Sequence, residues 1–281
     1  MTLSMTAFTL NDVFMKLLSQ DLPFFQALFI RGLGTSIAMV LLGYALGQFR
    51  FDIANKDWKL IGLRTLAELF GAYFFLSALF HMPLANVSAI LQALPLTVTL
   101  AGAVFLGEAV GWKRMTAILV GFVGVFLIVR PGGDGFTVYS LYALAAVVCV
   151  TVRDLAARKV SREVPSIMIA VVAAVGVTVG VGIASAFTEW APVNSTSALH
   201  LFGATTFIIG GYLFSVMAMR AGEISFVAPF RYSSLIVALV VGYLVFNDWP
   251  DGPTIVGAVI VVATGLFTFY REQRLQRSNT P

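Results

Sequence analysis

The sequence predicts an all-α integral membrane protein, with ten transmembrane helices arranged as a 5+5 inverted repeat. Three observations carry this reading. Of the 281 residues, 59% are apolar and only 11% charged, with a mean hydropathy of +0.90; an average soluble domain is about 25% charged. A membrane-spanning helix takes roughly 20 mostly apolar residues, and the chain divides into ten such runs with short connections. The basic residues gather almost wholly between alternate runs. Such a composition excludes a soluble enzyme, a nucleic-acid binder, a disordered chain and a disulfide scaffold. No cofactor or metal is expected: Cys149 is the single cysteine, and His81 and His200 are the only histidines.

The runs are 3–19, 24–46, 58–80, 83–106, 112–130, 138–157, 165–187, 198–219, 224–246 and 252–270. The first ends in the polar Ser19-Gln20-Asp21, and no Lys or Arg precedes Lys16. It therefore lacks the basic start of a signal peptide and reads as a retained helix. Pro23, Pro83 and Pro165 open the second, fourth and seventh runs, where a missing N–H costs nothing. The second stops at Gly47, before a stretch holding Arg50, Lys56 and Lys59. Gly107-Glu108 closes the fourth, and the glycine-rich segment 131–135 ends the fifth and parts the two halves. The sixth ends in Arg158-Lys159, the eighth begins beyond Pro192-Val193-Asn194, and Asn247-Asp248 closes the ninth. None of the runs alternates apolar with polar as lipid-facing strands do.

Cytoplasmic connections carry the excess of Lys and Arg in membrane proteins. With the N-terminus inside, that side holds Arg50, Lys56, Lys59, Lys113, Arg114, Arg158, Lys159, Arg162, Arg220, Arg271, Arg274 and Arg277, and the other side only Arg130. Twelve against one places both termini in the cytoplasm. The halves also resemble each other. Asp12, Lys16 and Pro23 recur 142 positions on as Asp154, Arg158 and Pro165, and Glu108 and Ala117 recur 140 positions on as Asp248 and Gly257. Five helices is an odd number, so the second half enters from the opposite face, as in secondary transporters built around a site at the repeat interface.

Charged groups inside the bilayer are costly, roughly 2.5–3.5 kcal/mol for an Arg at a helix centre. Five bases (Lys16, Arg31, Arg64, Arg153, Arg231) and three acids (Asp12, Glu68, Asp154) lie within the runs. Asp12 and Lys16 share a helix face at i, i+4 and either pair or line a cavity. Arg64 and Glu68 repeat that spacing, Glu68 being deeper. Arg153 and Asp154, adjacent near a span end, are expected to point apart and to serve gating. Arg231 follows Pro229 and Phe230 about two turns into the ninth run, too deep to reach the interface comfortably. Gln92 occupies the place related to Tyr232 at the shift of 140. Tyr73 and Tyr212 are candidates for a stacking wall. Arg231, Tyr232, Gln92, Glu68, Tyr73 and Tyr212 thus form a candidate substrate set, and Asp12, Lys16, Arg31, Arg64, Arg153 and Asp154 a coupling or gating set. The excess of base points to a substrate with a carboxylate, phosphate or electron-rich carbonyls.

The stretch LPLTVTLAGAVFLGEAVGWKRMTAILVGFVGVFLIVRP, from Leu94 to Pro131, resembles the end of an EamA repeat in the drug/metabolite transporter superfamily. The second copy departs from the pattern, with Asn247-Asp248 in place of Gly-Glu. Arg31 resembles a frequent arginine of that family. The resemblance implies repeats over 1–131 and 137–272 with a cytoplasmic tail at 273–281, a central cavity, and secondary transport of a small molecule across the bacterial inner membrane. The segments HMPLANVSAILQALPL, VGWKRMTAILVGFVGV and TVRDLAARKVSREVPS are similar to the riboflavin-importer branch and to the S-adenosylmethionine-uptake branch. Riboflavin uptake is the most specific expectation. Export or exchange of amino acids or S-adenosylmethionine-like metabolites is the alternative, and a membrane enzyme a distant third. Partners beyond substrate and lipid are not implied, nor is an oligomeric state.

Overall fold

The computed structural model describes residues 1–49, 52–108, 110–133, 136–161, 163–221 and 228–278, excepting the side chains at 216, 219–221, 228, 272 and 275–278. Arg50, Arg162, the start of the ninth run at 224–227, and the side chains of Arg220 and Arg277 lie outside them. The described elements are α1 (Thr2–Leu18), α2 (Phe24–Ala45), α3 (Asn55–His81), α4 (Leu84–Leu91), α5 (Leu94–Leu106), α6 (Trp112–Val129), α7 (Val138–Lys159), α8 (Ser166–Ser185), α9 (Ser195–Ala221), a 3-10 turn at Ala228–Tyr232, α10 (Ser233–Phe246) and α11 (Gly252–Ser278). No strand occurs among the described residues.

Nine spans among the described residues are long and apolar enough to cross a membrane, counting α4 with α5 and the 3-10 turn with α10. The tenth, α1, has 17 residues and lies along α9: Ser4 donates to the Gly211 carbonyl at 2.7 Å, and Phe14 packs on Phe207 and His200. An even number of crossings leaves both termini on one face, called here the terminal face; the other is the far face. Large apolar side chains point outward along the bundle, among them Phe105, Phe126, Phe202 and Leu244. Lipid accepts them at no cost, because its tails are as apolar as they are.

The fourth span is broken at its middle, and the described part of the ninth opens on a 3-10 turn. The fourth run does not form one helix from 83 to 106: α4 stops at Leu91 and α5 starts at Leu94. Pro95 explains the place, since its ring collides with the carbonyl four residues back, that of Leu91, and it offers no N–H. Likewise Arg231 lies in a 3-10 turn before α10 rather than two turns inside a helix, with Pro229 in that turn. At the break Gln92 Nε2 donates to Ser234 Oγ at 2.9 Å.

The packing obeys the repeat. α3 packs on α7 as α1 packs on α9, α3 on α8 as α2 on α9, while α2 pairs with α8 and α6 with α11. Ser36 Oγ bonds to Thr178 Oγ1, its counterpart 142 residues on, at 2.8 Å. Together with the exchanged helix contacts this pair marks a pseudo-twofold axis between the halves. α6 and α11 touch backbone to backbone, for a methyl on Gly124 would stand 2.8 Å from the Gly257 carbonyl and one on Gly257 2.5 Å from that of Gly124. Arg130, the one base expected on the far side, ends α6 in the left-handed region (φ 45°) and pairs there with Asp251. α11 runs helical to Ser278, past the expected span end at 270.

The Asn247-Asp248 departure leaves the geometry intact. Gly107 and Asn247 both close their helices in the left-handed region, at φ 69° and 55°. Asn is the common substitute for Gly there. The next residue then bonds back identically, Glu108 N–H to the Gly102 carbonyl and Asp248 N–H to that of Gly242, both at 3.2 Å.

Candidate functional site

Polar side chains from six segments converge inside the bundle. Arg64 and Glu68, one turn apart on α3, form an ion pair at 2.9 Å. Arg153 of α7 approaches Glu68 at 3.9 Å, and donates to Asp154 Oδ1 from Nε at 2.9 Å and Nη2 at 2.8 Å. On α1, Asn11 Nδ2 donates to Asp12 Oδ1 at 2.9 Å, while Arg31 Nη1 of α2 donates to Asn11 Oδ1 at 3.3 Å. Asp12 and Arg31 attract each other. The Arg31 Nε atom is buried with no hydrogen-bond partner.

Tyr212 of α9 joins the two groups. It lies within electrostatic reach of Arg31 on one side and of Glu68, Arg153 and Arg64 on the other, and its ring meets Phe8 edge-on at 5.4 Å. Tyr212, Arg64, Glu68, Met39, Ala170 and Ala174 line a cavity of about 20 Å³, the room one water needs. Arg231 is exposed and feels Asp154 and Arg153; its carbonyl accepts from Ser234 Oγ at 2.9 Å, tying it to the broken-helix crossing.

The repeat is legible inside the site. Asn11-Asp12 and Arg153-Asp154 stand 142 apart, and in each pair the first side chain donates to the carboxylate that follows. The expectation that Arg153 and Asp154 point apart is therefore corrected: the long arginine arm folds back along the helix. Asp12 and Lys16 do not pair with each other either. Asp12 turns to Asn11 and Arg31, whereas Lys16 reaches Asp248 at 3.9 Å and the Met82 carbonyl at the far face. With Lys16 at the far face and Arg231 exposed, the interior holds three bases (Arg31, Arg64, Arg153) against three acids (Asp12, Glu68, Asp154), and the expected excess of base is not found there.

Three other expected residues stand apart from this cluster. Gln92 is buried and bonded to Ser234. Tyr232 turns from Arg231 and buries its ring against Gly265 and Phe269 of α11. Tyr73 belongs to an aromatic group with Phe24, Phe25, Phe74 and Tyr142. Asn11, Phe8 and Met39 were not anticipated. Asn11 was within reach of the 142 shift, as counterpart of Arg153; Phe8 and Met39 carry no signal, being apolar among apolar neighbours. Among the described residues no group of His, Cys, Asp and Glu is placed to hold a metal ion.

Two five-helix halves related by inversion, a broken fourth span bonded to the ninth, and a charged interior define a membrane transporter of the inverted-repeat class. The model of the EamA-like transporter family matches residues 1–130 and again 137–270, and the chain belongs to that family, within the drug/metabolite transporter superfamily. It is similar to the S-adenosylmethionine uptake transporter of Rickettsia conorii, 28% identical over 275 residues, covering 97% of this chain and 92% of that one. It is similar to the riboflavin transporter of Vibrio cholerae, 30% identical over 223 residues, covering 78% and 74%. A solved protein structure shares the fold with a TM-score of 0.64 at 19% identity over 97% of both chains.

Proposed function

We propose that this chain is a secondary transporter that imports a zwitterionic metabolite across the bacterial inner membrane by alternating access, with S-adenosylmethionine the first substrate to test. The observation that carries this reading is the cluster of opposite charges around Tyr212, in which the Arg31 Nε is left unpartnered. An amino-acid head group supplies both halves of what such a site lacks: a carboxylate for Arg31, and a cation for Asp12 or Glu68 beside the rings of Tyr212 and Phe8. Cations bind over such rings with about 0.5–2 kcal/mol. The extent of the likeness to the Rickettsia conorii transporter supports the same choice. No chemical step is assigned to the chain. Both termini face the cytoplasm, and the repeats span 1–131 and 137–272, with 273–281 as the tail.

Riboflavin uptake is the second reading. The rings around Tyr73 and the Vibrio cholerae relative favour it, but a neutral flavin ring offers the Arg31 Nε and the partly buried cluster of six charges no ionic partner. The test is uptake of radiolabelled S-adenosylmethionine by cells expressing the chain, with unlabelled S-adenosylmethionine and riboflavin as competitors. Saturable uptake blocked only by the former is expected. Uptake of riboflavin instead transfers the assignment to the second reading, and uptake of neither overturns import of both, leaving efflux from preloaded vesicles to be measured.

A further inference from the structure

Two ion pairs lie outside the site, one at each face, and the repeat operation exchanges them. Lys16 near the end of α1 pairs with Asp248, just beyond the cap of α10, at 3.9 Å. Arg158 near the end of α7 pairs with Glu108, just beyond the cap of α5, at 3.1 and 3.5 Å. Lys16 and Arg158 are 142 apart, Glu108 and Asp248 140 apart. Each base sits near a helix C-terminus, where positive charge is favoured. Each acid is presented by the same left-handed cap, and Gly102 leaves the Glu108 carboxylate its space, since a methyl there would come within 2.6 Å of Oε2. These are two copies of one latch, joining the first span of one repeat to the fourth span of the other.

The copies differ in closure. At the far face Lys16 is 13% exposed and Asp248 35%; Lys16 also donates to the Met82 carbonyl and lies 5.3 Å from the centre of the Phe246 ring. At the terminal face Arg158 and Glu108 are 47% and 44% exposed. In one latch the lysine is half-buried and held three ways; its counterpart is a solvated ion pair whose arginine has only its acid. Because symmetry makes the latches interchangeable, exchanging the conformations of the repeats exchanges these two states.

We infer that Lys16–Asp248 and Arg158–Glu108 are alternating latches of the two faces, closed and loosened in turn, and that the far-face latch is the closed one in this structure. The inference rests on the alternating-access reading but on no particular substrate. Its test needs none: spin labels at Gln20 and Trp249 report the far face, labels at Lys113 and Lys159 the terminal face, and distances are read in lipid nanodiscs with Cys149 replaced by Ser. Lys16→Gln is expected to lengthen the far-face distance and shorten the other, shifting the population about five- to tenfold, because the contacts of Lys16 to the Met82 carbonyl and the Phe246 ring are lost with the ion pair. Arg158→Gln is expected to do the reverse by about two- to fivefold, the scale of an exposed pair. The double variant is expected to fall between them. The exchange Lys16→Asp with Asp248→Lys is expected to restore the parent distances, which separates loss of the pair from damage to folding; Asp248→Asn repeats the far-face test should Lys16→Gln fail to fold. Unchanged distances in the single variants, or movement of both faces in the same direction, would overturn the inference. Loss of S-adenosylmethionine uptake by the parent protein would leave it standing.

Discussion

Tyr232 and Gly265 show how close this interior is at single residues. The Tyr232 hydroxyl is buried without a hydrogen-bond partner, and a methyl on Gly265 would stand 1.7 Å from it. Gly265→Ala is expected to destabilise by about 1–3 kcal/mol, the usual cost of overpacking, read as a lower melting temperature in detergent. Tyr232→Phe is expected to be neutral or mildly stabilising alone, since it removes an unsatisfied polar group, and to recover part of the Gly265→Ala loss. The charged residues behave differently, because their effect appears in transport. Arg231→Ala is expected to abolish uptake with expression and folding intact; Arg31→Ala and Glu68→Gln are expected to lower it at least tenfold, with Arg31→Lys retaining more than Arg31→Ala. Wild-type uptake in Arg31→Ala would remove that residue from the site.

Between elements, backbone geometry sets the tolerance. Gly124 and Gly257 face each other's carbonyls across the α6–α11 crossing, and a carbonyl cannot swing aside as a flexible side chain does. Gly124→Ala and Gly257→Ala are each expected to cost about 1–3 kcal/mol, and the double variant less than the sum, because the first forces the helices apart for both. Thermal unfolding of the three variants checks this; additive losses would mean that the helices do not share one contact. The helix caps give a complementary case. Asn247→Gly is expected to be neutral within about 0.5 kcal/mol and Gly107→Ala to cost about 1 kcal/mol, since only the second puts a Cβ where the parent has none at positive φ.

For the whole molecule, the twelve-to-one distribution of Lys and Arg predicts cytoplasmic termini, and the fold supplies the even number of crossings that brings both ends to one face. A fluorescent protein that matures only in the cytoplasm, fused to the C-terminus, is expected to fluoresce, and a periplasm-dependent phosphatase fused there to stay inactive. The opposite result would reverse the orientation. Ser36 bonded to its own counterpart Thr178 places the axis at the α2–α8 contact.

Ten spans and their 5+5 arrangement were determined by the sequence itself, because the bilayer imposes length and apolarity on every segment independently of its neighbours. The repeat shifts, 142 residues for Lys16 and Arg158 and 140 for Glu108 and Asp248, already mark the four residues of the two face pairs. Only the tertiary structure decided the partners. Helical spacing brought Asp12 within reach of Lys16, yet the approach of α2 and α10 gave Asp12 to Arg31 and Lys16 to Asp248. The depth of Arg231, the burial of Tyr232 under α11 and the entry of Phe8 and Met39 beside Tyr212 were likewise settled by packing. Periodicity states which residues share a helix face; which helix that face meets depends on contacts distant in the chain.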